Sequence, residues 1–272
     1  KAQGRLCMFK SCERCFRGEP EEVAPPAATK EEAPATADTT APATAKKKMG
    51  FNLGDVFPNF QAQASGVPNG EFDLYKYWGD GWGILFSHPA DYTPVCTTEL
   101  GKAAKLAEEF AKRNCKLCAI SCNDKDSHEG WSKDIISVQG MSGDMPFPII
   151  ADPTRAIATG LGIMDPEEKD KQGLPLTCRS VFYVSPDRKL KAQVLYPATT
   201  GRDFSELLRV LDSLQLTSKF PVATPEGWQN GSKCMVVPSL TDDDAKTKLA
   251  KGFEKVDVPS GKNYIRMTPD PR

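Results

Sequence analysis

The sequence predicts an α/β fold in which helices cover a sheet that includes an antiparallel hairpin. Short apolar runs of strand length alternate with longer segments whose apolar residues recur at helical spacing, and two of the runs meet at a tight turn signal. Residues 82–86, Trp-Gly-Ile-Leu-Phe, read as a buried strand. Leu100, Ala103, Ala104, Ala107, Phe110 and Ala111 then mark one face of a helix that no Gly or Pro interrupts after Gly101. A second strand follows at residues 115–122. Its alternation places Cys118 and Cys122 on one face and Cys115 on the other, which suits core packing and not a shared metal ion. A helix is expected around 127–136, a strand at 147–150 and a short helix at 154–161. Strands at 180–184 and 190–196 join at Ser185-Pro186-Asp187. Leu207, Leu208, Leu211 and Leu214 give 203–216 the pattern of an amphipathic helix. Trp82 and Trp131 read as packing residues, and no internal repeat is visible.

Residues 1–49 differ from the rest. No aromatic residue lies between Phe16 and Phe51, and Ala, Pro, Thr, Glu and Lys dominate. Such a segment buries too little to offset its ordering entropy, so a disordered extension is expected. Cys7, Cys12 and Cys15 lack a nearby fourth ligand, which favours a tail or targeting remnant over a metal site. The chain opens on Lys1, and further upstream sequence is expected. The main domain is expected at 50–220 and a smaller one at 221–272, where Val222-Ala223-Thr224-Pro225, Trp228, the strand-like run 234–238, a helix capped by Thr241 and the run 263–267 follow one another.

Chain length allows a sizeable core. A formal net charge of -1 gives no reason to expect a nucleic-acid partner or an anionic membrane, and no apolar run is long enough to span a bilayer. Nine cysteines, an odd number in a chain too large to need a disulfide scaffold, suit a reducing compartment. The expected location is cytoplasmic, with a mitochondrial or other organellar address as the alternative that the N-terminal extension raises.

Cys96 carries the clearest chemical signal. It falls between the 82–86 strand and the following helix, in that helix's first turn, where unpaired N–H groups and the positive end of the helix dipole favour a thiolate. Thr93, three residues earlier, can place a hydroxyl beside the sulfur. Pro89 can wall the sulfur from water without adding a competing N–H. Arg179 opens the apolar run 181–184, so it projects from a strand end as a fixed charge. Each residue alone has an ordinary reading as loop, N-cap or surface charge. Their combination points to an activated thiolate beside a fixed positive charge, a nucleophile in place.

Pro89, Thr93 and Cys96 spell P-x-x-x-T-x-x-C, and with Arg179 in Thr177-Cys178-Arg179-Ser180-Val181 the pattern resembles the active site of the peroxiredoxins. Pro94-Val95-Cys96-Thr97-Thr98-Glu99 and the preceding Phe86-Ser87-His88-Pro89 look like the one-cysteine, peroxiredoxin 6 type branch. The resemblance runs from about Gly54 to Pro271. It includes Phe147-Pro148-Ile149-Ile150-Ala151-Asp152, Tyr196-Pro197-Ala198-Thr199-Thr200-Gly201-Arg202 and Pro259-Ser260-Gly261-Lys262. It implies a thioredoxin-like fold with a smaller C-terminal peroxiredoxin domain, a homodimer, and a thiol peroxidase acting on hydrogen peroxide and organic hydroperoxides without metal or haem. Cys96 would pass through a sulfenic acid and be restored by an external thiol, glutathione or thioredoxin-like. The alternative is a redox-regulated chaperone or peroxide-signalling module on the same fold.

By the same resemblance Glu99 bridges Arg179 and Arg202. His88 is open to three readings: a neighbour of the peroxide pocket, a core histidine, or a cation favouring the thiolate. Packing or pocket lining is preferred. Cys234, in Lys233-Cys234-Met235, does not match the Val-Cys-Pro motif of a resolving cysteine. Some animal members of the branch also carry a lipase-like serine, histidine and aspartate. Here Gly81 and Tyr75 hold the first two positions and only Asp187 remains, so no phospholipase activity is expected.

Overall fold

The computed structural model describes residues 50–272; the extension at 1–49, with Cys7, Cys12 and Cys15, lies outside the described residues. The chain runs through β1 (Gln61–Ser65), β2 (Glu71–Asp73), α1 (Leu74–Trp78), β3 (Trp82–Ser87), α2 (Pro94–Lys112), β4 (Cys115–Ser121), α3 (Lys125–Val138), β5 (Ile149–Ala151) and α4 (Ala156–Leu161). It continues through β6 (Met164–Lys169), β7 (Pro175–Thr177), β8 (Arg179–Val184), β9 (Leu190–Tyr196) and α5 (Phe204–Lys219). A C-terminal region holds β10 (Val222–Ala223), β11 (Cys234–Val236), α6 (Asp242–Lys248), β12 (Glu254–Lys255) and β13 (Arg266–Thr268).

Seven strands form the main sheet in the order β2-β1-β5-β4-β3-β8-β9. β3 pairs in parallel with β4 and antiparallel with β8, so it sits near the middle and is buried throughout. A strand covered on both faces favours a continuous apolar run, which explains residues 82–86; the one buried polar residue, Ser87, is hydrogen-bonded to Cys178 O. Parity divides those residues. Ile84, Phe86, Leu117 and Val181 face a core built with Leu100, Phe110, Trp131, Phe204 and Leu211 of α2, α3 and α5. Leu85, Cys118, Ile120 and Phe182 face the opposite core with Phe57, Trp78 and Leu161. Cys115 and Cys118 thus pack on opposite faces. Gly83 is required on the second face, because a Cβ there would lie 2.2 Å from the Trp78 ring.

α2 begins at Pro94, whose missing N–H is no loss at a first helical position, and ends in Lys112. Asp124 caps α3 by accepting from Ser127 N at 2.8 Å, and Asp203 caps α5 by accepting from Ser205 N at 2.7 Å. The chain from the carboxyl end of β3 into α2, residues 88–93, is therefore held between a central strand and a capped helix layer. That loop carries the candidate chemistry.

β1, β2, α1 and the β6–β7 hairpin were not anticipated from the sequence. They are short or polar, as in Gln-Ala-Gln-Ala-Ser and Met-Asp-Pro-Glu-Glu-Lys, and are fixed by pairing and not by an apolar pattern. Beyond α5 a four-stranded sheet, β10-β11-β13-β12, gathers Leu216, Trp228, Cys234, Val236 and Leu249 into a third cluster. Thr241 Oγ1 accepts from Asp244 N at 3.1 Å, and α6 carries acidic residues in its first turn and Lys246 and Lys248 in its last, matching the helix dipole. Among the described residues no helix is long and apolar enough to cross a membrane.

Candidate active site

Cys96 is the third residue of α2 and is fully buried, with Phe86, Leu100 and Trp131 in the same core. Its sulfur accepts a hydrogen bond from Arg179 Nη1 at 3.3 Å. The same Nη1 donates to Glu99 Oε2 at 2.7 Å, while Arg179 Nε and Nη2 donate to Ala198 O at 2.8 and 2.6 Å. Four of the five guanidinium N–H groups are thus directed at protein acceptors, which fixes its orientation. Glu99, one turn beyond Cys96, binds Arg202 as well: Oε1 accepts from Arg202 N and Nε at 2.6 and 2.9 Å, and Oε2 accepts from Nη2 at 2.8 Å. Arg202 Nη1 donates to Ser180 O at 2.6 Å, and its guanidinium lies 5.5 Å from the Phe86 ring centre.

The charge balance of this cluster decides what it favours. Glu99, Arg179 and Arg202 are all at most 7% exposed, so solvent screens little. Burial by itself would raise the Glu99 carboxyl, but hydrogen bonds and charge from Arg202, then Arg179, hold it below the usual carboxylate range. Two guanidinium charges thus face one carboxylate. One positive charge is left over, and the nearest sulfur is that of Cys96.

The other described cysteines have no such partner. Burial pushes the Cys122 and Cys178 thiols up to about 11, and it raises Cys115, Cys118 and Cys234 as well. All six described cysteines are free. Only the Cys96 sulfur, among the described residues, accepts from a guanidinium.

Pro89 is buried in the loop that precedes α2. Thr93 occupies the N-cap position in extended conformation without capping the helix; its hydroxyl donates to Ala90 O at 2.9 Å. With its proton engaged there, the Thr93 oxygen is left to act as an acceptor. Thr93 O also receives Thr97 N at 3.0 Å and Thr97 Oγ1 at 2.8 Å, tying the turn together. His88 is fully buried, and desolvation lowers its pKa, opposed by Asp91 and reinforced by His128 and Arg202. A neutral ring replaces the reading of His88 as a cation. It packs 5.0 Å from the Trp131 ring.

The sequence reading did not single out Asp91 or His128. Among the described residues, His88, Asp91 and His128 form the one group with metal-ligand donor types, their ligand atoms within 4.8 Å of one another. In the structure those atoms are paired with each other: His88 Nε2 lies 2.8 Å from Asp91 Oδ1, and His128 Nδ1 lies 2.7 Å from Asp91 Oδ2. The one available signal was compositional, since the whole chain has only two histidines.

At the position of the lipase-like serine, Gly81 offers no hydroxyl, and a Cβ there would meet Asn114 O at 2.7 Å. The Tyr75 hydroxyl donates to Phe57 O, and Asp187 accepts from Ser185 Oγ. Two surface concavities of about 980 and 490 Å³ share Gln61, Ala62 and Gln63 in their walls, and neither is lined by Cys96 or Arg179.

Residues 53–193 match the AhpC/TSA family, and residues 213–252 match the C-terminal domain of 1-Cys peroxiredoxin. The chain belongs to the one-cysteine peroxiredoxins. It is a thiol-dependent peroxidase with the thioredoxin-like fold and C-terminal domain of that family. Peroxiredoxin-6 of Gallus gallus is 54% identical over 224 residues, covering 82% of this chain and 99% of the relative. Peroxiredoxin-6 of Homo sapiens is 52% identical with the same coverage. Among solved structures, a cysteine-to-serine variant of the Peroxiredoxin 6 of Arenicola marina superposes with a TM-score of 0.78 at 52% identity, covering 82% of this chain and all of that one, 100%. A yeast mitochondrial 1-Cys peroxiredoxin, described with a thiol resolving mechanism via glutathione/thioredoxin systems, gives a TM-score of 0.70 at 39% identity, covering 80% of this chain and 99% of that one. The two family matches, at 53–193 and 213–252, lie within the described residues.

Proposed function

We propose that Cys96 is the thiol that reduces peroxide, with Arg179, Thr93 and Pro89 completing the site and Glu99 and Arg202 holding it. The observation that carries this reading is the 3.3 Å hydrogen bond from Arg179 to Sγ inside a buried cluster with one surplus positive charge. The Cys96 thiolate attacks the hydroxyl-bearing oxygen of the peroxide. An S–O bond forms, the O–O bond breaks, and the electron pair leaves with the other oxygen, which takes up a proton to give water or an alcohol. Arg179 stabilises the anion before attack and the developing oxyanion after it. Thr93 Oγ1 accepts the hydrogen bond of the incoming hydroperoxide, and Pro89 keeps a competing N–H out of the site.

The sulfenic acid then condenses with an external thiol, releasing water and forming a mixed disulfide. A second thiol restores Cys96 and leaves with the first as a disulfide. Glutathione or a thioredoxin-like protein fits this role, on the analogy of the yeast mitochondrial relative. Cys234 is buried in the third cluster with its thiol raised by burial, which argues against an internal resolving role. A homodimer fits the outer strand β9, which ends the main sheet with Leu195 57% and Tyr196 38% exposed, and a C-terminal domain at 221–272 that contributes to the contact. The six described cysteines, all free, suit a reducing compartment, cytoplasmic or organellar.

The test is peroxide consumption by the full chain with glutathione and thioredoxin offered separately, in wild type and Cys96→Ser. Turnover with at least one thiol and none in Cys96→Ser is expected. Normal turnover by Cys96→Ser would remove the assignment.

A further inference from the structure

The only two histidines of the chain, 40 positions apart, meet at one buried carboxylate. His88, Asp91 and His128 are at most 6% exposed. Asp91 Oδ1 faces His88 Nε2 at 2.8 Å, and Oδ2 faces His128 Nδ1 and Ser127 Oγ, both at 2.7 Å. Burial by itself would raise the Asp91 carboxyl, but hydrogen bonds from both imidazoles hold it well below the usual range, so it stays ionised and only accepts. Each ring must therefore turn an N–H toward it. That fixes His88 as the Nε2–H tautomer, with a bare, buried Nδ1 that has no protein partner.

The clamp joins two elements that the reaction depends on. His88 and Asp91 lie on loop 88–93, with Pro89 between them and Thr93 at its end, whereas Ser127 and His128 belong to the first turn of α3. Asp91 N donates to Asn123 Oδ1 at 3.1 Å, and Thr177 Oγ1 donates to His88 O at 2.7 Å, next to the β8 strand that starts with Arg179. On its other side the His88 ring meets Trp131, whose Nε1 donates to Thr97 Oγ1 at 3.1 Å beside Cys96. Tyr92, immediately after Asp91, sits at φ +54°, a conformation that a tyrosine keeps only when its surroundings impose it.

We infer that Asp91 and His128 are positioning residues of the peroxidase: Asp91 clamps His88 and α3 together, and so sets the placement of Pro89, Thr93 and the Cys96 turn for attack on peroxide. This rests on Cys96 being the reacting thiol. Asp91→Asn keeps the size of the side chain but replaces one acceptor by an N–H donor, which forces one imidazole to reverse its tautomer or lose its bond.

The experiment uses the full chain and compares wild type, Asp91→Asn and His128→Gln in three measurements. These are the rate of Cys96 oxidation by hydrogen peroxide, the rate of Cys96 alkylation by iodoacetamide followed by mass spectrometry, and the ¹⁵N shifts of the histidine rings. Alkylation needs the thiolate but not the peroxide geometry. In Asp91→Asn, oxidation should fall roughly tenfold while alkylation stays within about twofold, since misplacement by a fraction of an ångström is felt in the oriented step. His128→Gln, which removes one arm only, should lose less. The wild-type spectrum should show His88 with a bare Nδ1 and a protonated Nε2, and Asp91→Asn should change that pattern. Unchanged oxidation in Asp91→Asn, equal losses in oxidation and alkylation, or a wild-type His88 protonated on Nδ1 would overturn the inference. Peroxide consumption by Cys96→Ser, in contrast, would overturn the site assignment itself.

Discussion

Two buried carboxylates flank the Cys96 turn, and each bridges two nitrogen donors. Glu99 holds Arg179 and Arg202; Asp91 holds His88 and His128. The arrangements look alike but differ in the donors they use. A guanidinium stays protonated even when buried, so the Glu99 cluster keeps a positive charge to spare for a thiolate. An imidazole gives up its proton when desolvation outweighs its partner, as at His88, which then offers no cation to the site. The first cluster supplies electrostatics and the second supplies geometry.

The largest effect is expected where the charge is removed. Arg179→Ala should slow Cys96 oxidation about 100-fold, the scale of losing one preorganised donor at a reacting centre, and stopped-flow oxidation would measure it. Arg179→Lys should recover only part of this, because an ammonium cannot serve Sγ, Glu99 and Ala198 with one planar fork.

Glu99→Gln breaks the comparison from the other side. It leaves two buried guanidinium groups facing each other without an anion, a change that costs about 3–5 kcal/mol for a buried pair. Urea unfolding should show that loss. The oxidation rate should fall less than in Arg179→Ala.

Acid should act in two stages. The folded pKa of His88 lies below its unfolded value near 6.5, so within that window the unfolded chain binds more protons and stability rises with pH. Stability is therefore lost as pH falls below about 6.5, by at most ~1.4 kcal/mol per pH unit from this group. Asp91 and Glu99 have depressed pKa values. Their stabilisation is present above the unfolded carboxyl pKa of roughly 4 and is lost at still lower pH, as it falls through their folded values. His88→Gln should flatten the first part of the unfolding-versus-pH curve and leave the contribution of Glu99 to the second.

How much of this was legible in the sequence depended on how local the signal was. β3 and β8 could be read because residues 82–86 and 181–184, buried on both faces, form unbroken apolar runs. β1, β2 and the β6–β7 hairpin could not, since their polar residues are ordered by pairing partners far along the chain. Within the site, Cys96, Thr93 and Pro89 share one short motif, and Arg179, Glu99 and Arg202 entered through family resemblance. The Asp91–His128 contact spans 37 positions, and His128 reads in sequence as an ordinary helix residue. Nothing short of the α3 packing brings it to Asp91.

The smallest expected effects mark where neither cluster reaches. Cys234→Ser should keep peroxidase turnover with an external thiol, because that sulfur packs with Trp228 and Val236 in the third cluster. Hydrolysis of phosphatidylcholine should stay at background in wild type, since Gly81 has no nucleophile and the Tyr75 hydroxyl is engaged with Phe57 O. Robust fatty-acid release would contradict that reading.

The central claim is that the surplus positive charge directs peroxide chemistry to one of nine cysteines. It is tested most directly by exposing the reduced chain to one equivalent of hydrogen peroxide, trapping sulfenic acid with dimedone and mapping the adducts by mass spectrometry. The account predicts an adduct on Cys96 and none on the other eight, with the Cys96 adduct forming far more slowly in Arg179→Ala. An adduct on another cysteine with Cys96 unmodified, or equal labelling rates in the two proteins, would contradict it.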